Sequence, residues 1–358
     1  MPFDVREFPA GAEMADRNRR LVAGWLFALC AMVLAMIVLG GATRLAGSGL
    51  AIMEWAPLMG ALPPLSDAEW QRLFHLYQQI PQYRLVNDGF GLDGFKQIFW
   101  LEWTHRLWGR LIGLAFLLPL VWLWARGAIP RRLRPRLVVL FLLGGAQGAV
   151  GWFMVASGFF PDSTAVSPYR LVVHLVVALV LYVALLWTGL SVLWPDAAAS
   201  AMRAPAPRRL AWITAGLLGT TIVAGGFVAG THAGLVYNTF PLMDGRLAPE
   251  DYAGLQPFLR NLTENVAAVQ FNHRALATLT GLAAIATIGV GFACGASGRL
   301  RRALVALGVA IAAQYTLGVA TLLSVVQVGL ATAHQAVAVL ALTAVVGALH
   351  ALRPGGRP

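Results

Sequence analysis

The sequence predicts an all-α polytopic membrane protein: eight transmembrane helices, arranged as two pseudo-symmetric four-helix bundles related by a parallel repeat. Three observations lead there. Of 358 residues, 58% are hydrophobic and 12% charged, a balance that a soluble domain of this size does not need. Uninterrupted apolar runs of about 20 residues, the length that crosses a bilayer, occur eight times. Finally, short motifs of the first half return in the same order in the second.

The runs lie roughly at 20–41, 104–125, 136–157, 170–193, 209–230, 272–293, 302–324 and 328–351. Gly40-Gly41 closes the first and has its counterpart in Gly225-Gly226 near the end of the fifth. Gly49-Leu50 matches Gly234-Leu235, and Pro57-Leu58-Met59 matches Pro241-Leu242-Met243. Gln147, Gly151 and Ser157 of the third run match Gln314, Gly318 and Ser324 of the seventh. Four spans bring the chain back to the side it started from, so the halves share one orientation. Each half then makes a four-helix bundle. Residues 1–194 are the N-terminal bundle, and 195–208 are a linker with Pro195, Pro205 and Pro207. Residues 209–358 are the C-terminal bundle.

Two connections, 42–98 and 231–268, exceed ordinary loops and read as lids or ordered caps. Ser66-Asp67-Ala68-Glu69 resembles a capping box opening a helix through Tyr77, and Asp93 to Phe99 can start another. Trp55, Trp70, Phe99, Trp100 and Trp103 suit a membrane–water boundary, the favoured reading, or a large aromatic ligand.

The net charge of +11 is a topology signal rather than a nucleic-acid footprint. Arginines gather at both ends and in every second connection, at Arg17 to Arg20, Arg126 to Arg136, Arg203 to Arg209 and Arg299 to Arg302. The long loops hold most of the acids. The positive-inside rule then places both termini in the cytoplasm. Met1 to Arg20 includes four acidic residues and has no apolar core, so the first span reads as an uncleaved anchor in a bacterial plasma membrane. The two cysteines, Cys30 and Cys294, fall in no outer loop and read as small buried apolar residues.

Four histidines carry the chemistry. His105 and His273 open the second and sixth spans, 168 positions apart; His174 and His334 lie early in the fourth and eighth. Intramembrane histidine is costly and marks function. At 1.5 Å per residue all four sit in the outer part of the membrane, where each half can oppose two imidazoles across a bundle core. That is the ligand set of a six-coordinate heme. Interhelical hydrogen bonding is the bland alternative. Zinc would need further ligands, and none recurs beside both pairs. Gly109, Gly113, Gly144, Gly145, Gly148 and Gly151 leave room for a flat macrocycle, or serve close helix packing. His75, His232 and His350 have no repeat partners.

The halves differ three residues before the first histidine of each pair, where Glu102 stands opposite Gln270. A carboxylate can move protons or stabilise a developing positive charge; an amide cannot do so in the same way. A catalytic first half and a cofactor-binding second half follow, the alternative being a Glu102–Arg106 pair at i, i+4. Arg106 and Arg274 are candidate partners for heme propionates.

Several stretches carry a family resemblance: Gly40-Gly41-Ala42-Thr43-Arg44 through Leu50 with Glu54-Trp55, Phe99-Trp100-Leu101-Glu102-Trp103-Thr104-His105-Arg106, Val166 to Leu171, Tyr237 to Gly245, and Ala333-His334-Gln335. They resemble heme A synthase over nearly the whole chain. The resemblance implies oxidation of the C8 methyl of heme O to a formyl group, by successive hydroxylations, giving heme A for terminal oxidases. It implies that His105 and His174 hold substrate heme O, that His273 and His334 hold heme B, and that Glu102 is the catalytic carboxylate. Heme O synthase would supply the substrate. Some bacterial members carry a cysteine pair in the first outer loop; this chain has none there and resembles the proteobacterial and mitochondrial branch. No motif identifies the electron acceptor, and homo-oligomerisation stays open. The competing readings are a diheme b-type electron-transfer protein, which leaves Glu102 without a task, and a duplicated transporter, which would place its polar residues near the midplane.

Overall fold

Eight long apolar helices form the body of the protein. The computed structural model describes residues 12–57, 59–195 and 205–354. Most of the expected linker lies outside the described residues, as do the first 11 residues and the last four. The long helices are α1 (Ala12–Leu45), α4 (Leu92–Ala125), α5 (Arg134–Val155), α6 (Pro168–Leu193), α7 (Ala206–Gly230), α8 (Val266–Ala293), α9 (Gly298–Leu323) and α10 (Val328–Ala351). Each is long and apolar enough to cross a membrane. Two short helices, α2 (Asp67–Gln78) and α3 (Pro81–Leu85), lie in the first long loop, and no strand occurs among the described residues.

Helix α1 packs on α4 and α6, and α5 on α4 and α6; α7, α8, α9 and α10 pair in the same cyclic order. These contacts fit the repeat. The groups meet through α1, α6, α7 and α10. The repeat reappears in that seam: Gly41 faces Gln335 on α10, and Gly226 faces Val172 and Leu175 on α6. Gln335 also donates to the Ile37 carbonyl, 2.8 Å away. The apolar core is concentrated in the seam and away from the long loops, with Leu26, Leu29, Leu185 and Val345 buried. Buried His350 closes that end, 3.3 Å from the Ser191 hydroxyl.

Three expectations are corrected. Asp93 to Phe99 does not make a separate loop helix; α4 runs unbroken for 34 residues, because Phe95, Ile98 and Phe99 bury their side chains against α2. Trp70 belongs to that aromatic cap, packed on Phe95, Phe99 and Trp100, and is no boundary residue. Cys294 is exposed rather than buried. The capping box holds: the Ser66 hydroxyl accepts from the Glu69 N–H at 3.3 Å.

The cap clasps the segment 52–57, which has no regular structure. Arg72 on α2 grips both carboxylate oxygens of Glu54, at 2.9 and 2.8 Å, and also binds Glu69. Its hydrogen bonds hold both carboxyls below their ordinary range. A depressed carboxylate adds stability above its unfolded value, about 4.3, and that stability is lost as pH falls through the folded value. These pairs are exposed, so the effect is small, at most about fivefold in local opening. Amide exchange across 52–57 should therefore quicken on acidification below pH 4.3 in the native protein, and become pH-insensitive there in Arg72→Ala.

Candidate heme sites

His174, His273 and His334 lie six or seven residues into α6, α8 and α10, but His105 is 13 residues into α4, which begins at Leu92 rather than near 104. On α8 and α10, the ring centroids of His273 and His334 are 6.5 Å apart. A metal ion about 2.0–2.1 Å from each coordinating nitrogen fits between rings so spaced. His273 Nδ1 donates to the Thr221 carbonyl and His334 Nδ1 to the Gln314 carbonyl, both at 3.1 Å. Such bonds to Nδ1–H fix the tautomer and leave the Nε2 lone pair able to bind a metal ion.

One glycine makes each bond feasible. Thr221 and Gln314 lie four residues before Gly225 and Gly318, so their carbonyls already serve the helix ladder. A Cβ on Gly225 would stand 2.9 Å from His273 Cε1; one on Gly318 would stand 2.9 Å from His334 Cε1. Only a bare Cα lets an imidazole reach the carbonyl one turn back. In the first half, Gly151 meets His174 Cε1 at the same 2.9 Å. Gly40 meets His105, but through Nε2, at 3.1 Å. Every histidine of the set thus has its own glycine on the preceding long helix. The glycines were visible in the repeat; their use as histidine cradles was not. Gly318→Ala is expected to weaken heme retention in the second bundle by about 10–100-fold, the usual cost of disturbing a ligand's supporting shell, read from the absorbance of purified protein.

The turned ring of His105 marks the difference between the halves. Its Nδ1 faces Glu102 Oε2 at 3.9 Å, with no backbone carbonyl in that role. Glu102 is 3% exposed, and its other oxygen accepts from Arg106 Nε at 2.6 Å. Gln270 is equally buried, yet its amide is fully used: Nε2 donates to the Ala233 and Val236 carbonyls at 2.7 and 2.5 Å, and Oε1 accepts from Arg274 at 2.7 Å. One carboxylate oxygen in the first half faces His105; its counterpart in the second half is stitched to loop backbone.

Arg106 and Arg274, the candidate propionate partners, also bind loop backbone. Arg106 donates to the Ile52 and Glu54 carbonyls at 2.7 and 2.9 Å. Arg274 donates to the Tyr237 and Thr239 carbonyls at 2.6 and 2.9 Å. Each guanidinium therefore straps a long loop over its bundle and fixes the residue at the Glu102 or Gln270 position. Gln147 and Gln314 reach the remaining histidines: Gln147 Nε2 lies 3.1 Å from His174 Nδ1, and Gln314 Nε2 lies 3.3 Å from His334 Nε2. The Oε1 atoms of both glutamines are buried without a partner. Among the described residues no group of three or more His, Cys, Asp or Glu could cage a metal ion. His75 and His232 are exposed and outside both sets.

A family model described as cytochrome oxidase assembly protein, COX15-CtaA, matches residues 23–346. The chain belongs to that family. It is 64% identical over 347 residues to the heme A synthase of Granulibacter bethesdensis, covering 96% of this chain and 90% of that protein. It is 49% identical over 352 residues to the heme A synthase of Rhodospirillum centenum, covering 98% and 93%. Against heme A synthase 2 of Acidiphilium cryptum the identity is 46% over 349 residues, covering 96% and 94%. Within this family the paired histidines and the Glu102–Gln270 contrast acquire a chemical setting.

Proposed function

We propose that this chain is a heme A synthase, a membrane-bound oxidoreductase that oxidises the C8 methyl of heme O to a formyl group for terminal oxidases. Family membership and the relatives' activity support the class of reaction. The single observation that supports the division of labour is the Glu102 carboxylate beside His105, set against an amide sequestered beside His273. In this reading the first bundle takes heme O between His105 and His174, and the second holds heme B between His273 and His334. The glycine cradles and the Nδ1 bonds to carbonyls fit a bis-imidazole heme in the second bundle, which would supply one-electron redox chemistry there.

The residues of the first site then have separate tasks. His105 and His174 orient the substrate. Arg106 keeps one oxygen of Glu102 occupied and the loop closed against water. The other oxygen is available to take a proton or to stabilise positive charge as the methyl carbon is oxidised. Arg274 holds the corresponding loop over the second site. The arginine-rich connections and both termini are cytoplasmic, and the sites face outward, with heme O synthase supplying the substrate. The reading is tested by the spectrum of the purified protein: reduced low-spin heme bands that disappear in a His273→Ala, His334→Ala double variant when no heme O is supplied. Bands that persist there would move the resident heme elsewhere.

A further inference from the structure

The two bundles also differ at their sides, away from the ligands. In the second half, three residues from three segments meet between α8 and α9: Phe240 on the loop strap, Thr278 on α8 and Tyr315 on α9. The Phe240 and Tyr315 rings meet nearly edge-on with centroids 6.2 Å apart, and the Tyr315 hydroxyl lies 3.2 Å from that of Thr278. The rings are 40% and 39% exposed, so they stand at the lateral surface, between the bundle interior and lipid.

The repeat puts Ala56, Arg110 and Gly148 at those places in the first half. A methyl replaces the phenylalanine ring. Arg110 turns to the strap, donating to the Pro57 and Ala56 carbonyls at 2.8 and 2.7 Å. Small residues in membrane bundles ordinarily let helices close up, but no described residue comes within 4 Å of a Cβ at Gly148. The strap reaches α5 only one turn nearer the loops, where Trp55 stacks on Trp152 at 6.1 Å. Below that stack, among the described residues, the α4–α5 seam has no counterpart to the aromatic plug. Gly148 is three residues from the Gly151 cradle of His174, about 4.5 Å along the helix, so the gap opens at the level of the first ligand pair. Non-helical backbone is tolerated at membrane depth only where its polar groups are satisfied, and Arg106 with Arg110 satisfies the strap's carbonyls.

We infer that the α4–α5 gap is a lateral portal by which a heme passes between the membrane and the first site, and that Phe240, Thr278 and Tyr315 close the same route in the second bundle. The inference rests on the proposed assignment of substrate to the first bundle. It explains how two similar ligand pairs keep one heme and exchange the other: entry and release are set by what gates the site, not by the ligands alone.

The test uses full-length protein in lipid vesicles, loaded with both hemes and challenged with iron deuteroporphyrin delivered in a second vesicle population. Extraction and chromatography follow loss of the original hemes. Native protein should exchange one heme quickly and one slowly. Ala56→Phe with Gly148→Tyr should slow the fast phase by about tenfold or more, with the second heme retained as a sign of intact folding. Phe240→Ala with Tyr315→Gly should speed the slow phase by a similar factor. A fast phase unchanged by the inserted rings, or a slow phase unchanged by removing the plug, would overturn the portal. The second variant decides the matter if the first does not fold. Failure of the heme A synthase assignment would appear separately, as heme A absent from extracts of native protein, and exchange kinetics do not depend on that result.

Discussion

Replacing Glu102 by glutamine is expected to leave both hemes bound and to lower heme A formation by about 10²- to 10⁴-fold, the range lost with a general acid–base group. The chain itself supplies the argument that the variant folds. Gln270 occupies the equivalent position, is as buried as Glu102, and accepts from Arg274 as Glu102 accepts from Arg106. A glutamine at 102 keeps that bond to Arg106 and so keeps the strap. It loses the negative charge beside His105. Turnover of heme O by membranes containing the variant, compared with its heme content, separates the two effects. Normal turnover would remove Glu102 from the chemistry and leave it as a loop anchor.

His273→Ala is expected to remove the second-bundle heme and, with it, sustained heme A formation, while the first bundle still binds heme O. The ring is held by the Thr221 carbonyl and its glycine cradle, and no other imidazole stands close enough to His334 to replace it among the described residues. The substitution leaves His334 with its Nδ1 bond to the Gln314 carbonyl intact, so α10 is expected to keep its place. The check is heme B content per chain alongside heme O binding. Unchanged heme B would take His273 out of the ligand set; loss of both hemes together would mean that the bundles do not bind independently.

Much of this was legible from the sequence because bilayers impose length and polarity so strictly. Eight spans, the duplicated histidines and the Glu102–Gln270 contrast all follow from counting and alignment of the halves. The start of α4 was not legible: Leu92 to Glu102 is too polar to read as a span, and its helix persists because Phe95 and Phe99 pack into the cap. Nor were the partners of Arg106 and Arg274. A sequence places a cation beside a histidine but does not say which backbone carbonyls a returning loop brings to it. The portal was hidden for a similar reason. Ala56, Arg110 and Gly148 are distant in the chain, and they become a feature only beside the Phe240–Thr278–Tyr315 cluster that the repeat opposes to them.

The central claim is that one bundle holds a cofactor and the other a substrate. It is tested most directly by extracting and chromatographing the hemes of purified protein produced with and without a heme O synthase. The account predicts heme B alone in its absence, and heme B with heme O and heme A in its presence. Two equivalents of heme B under both conditions, with no heme A, would contradict it and favour a diheme electron-transfer protein.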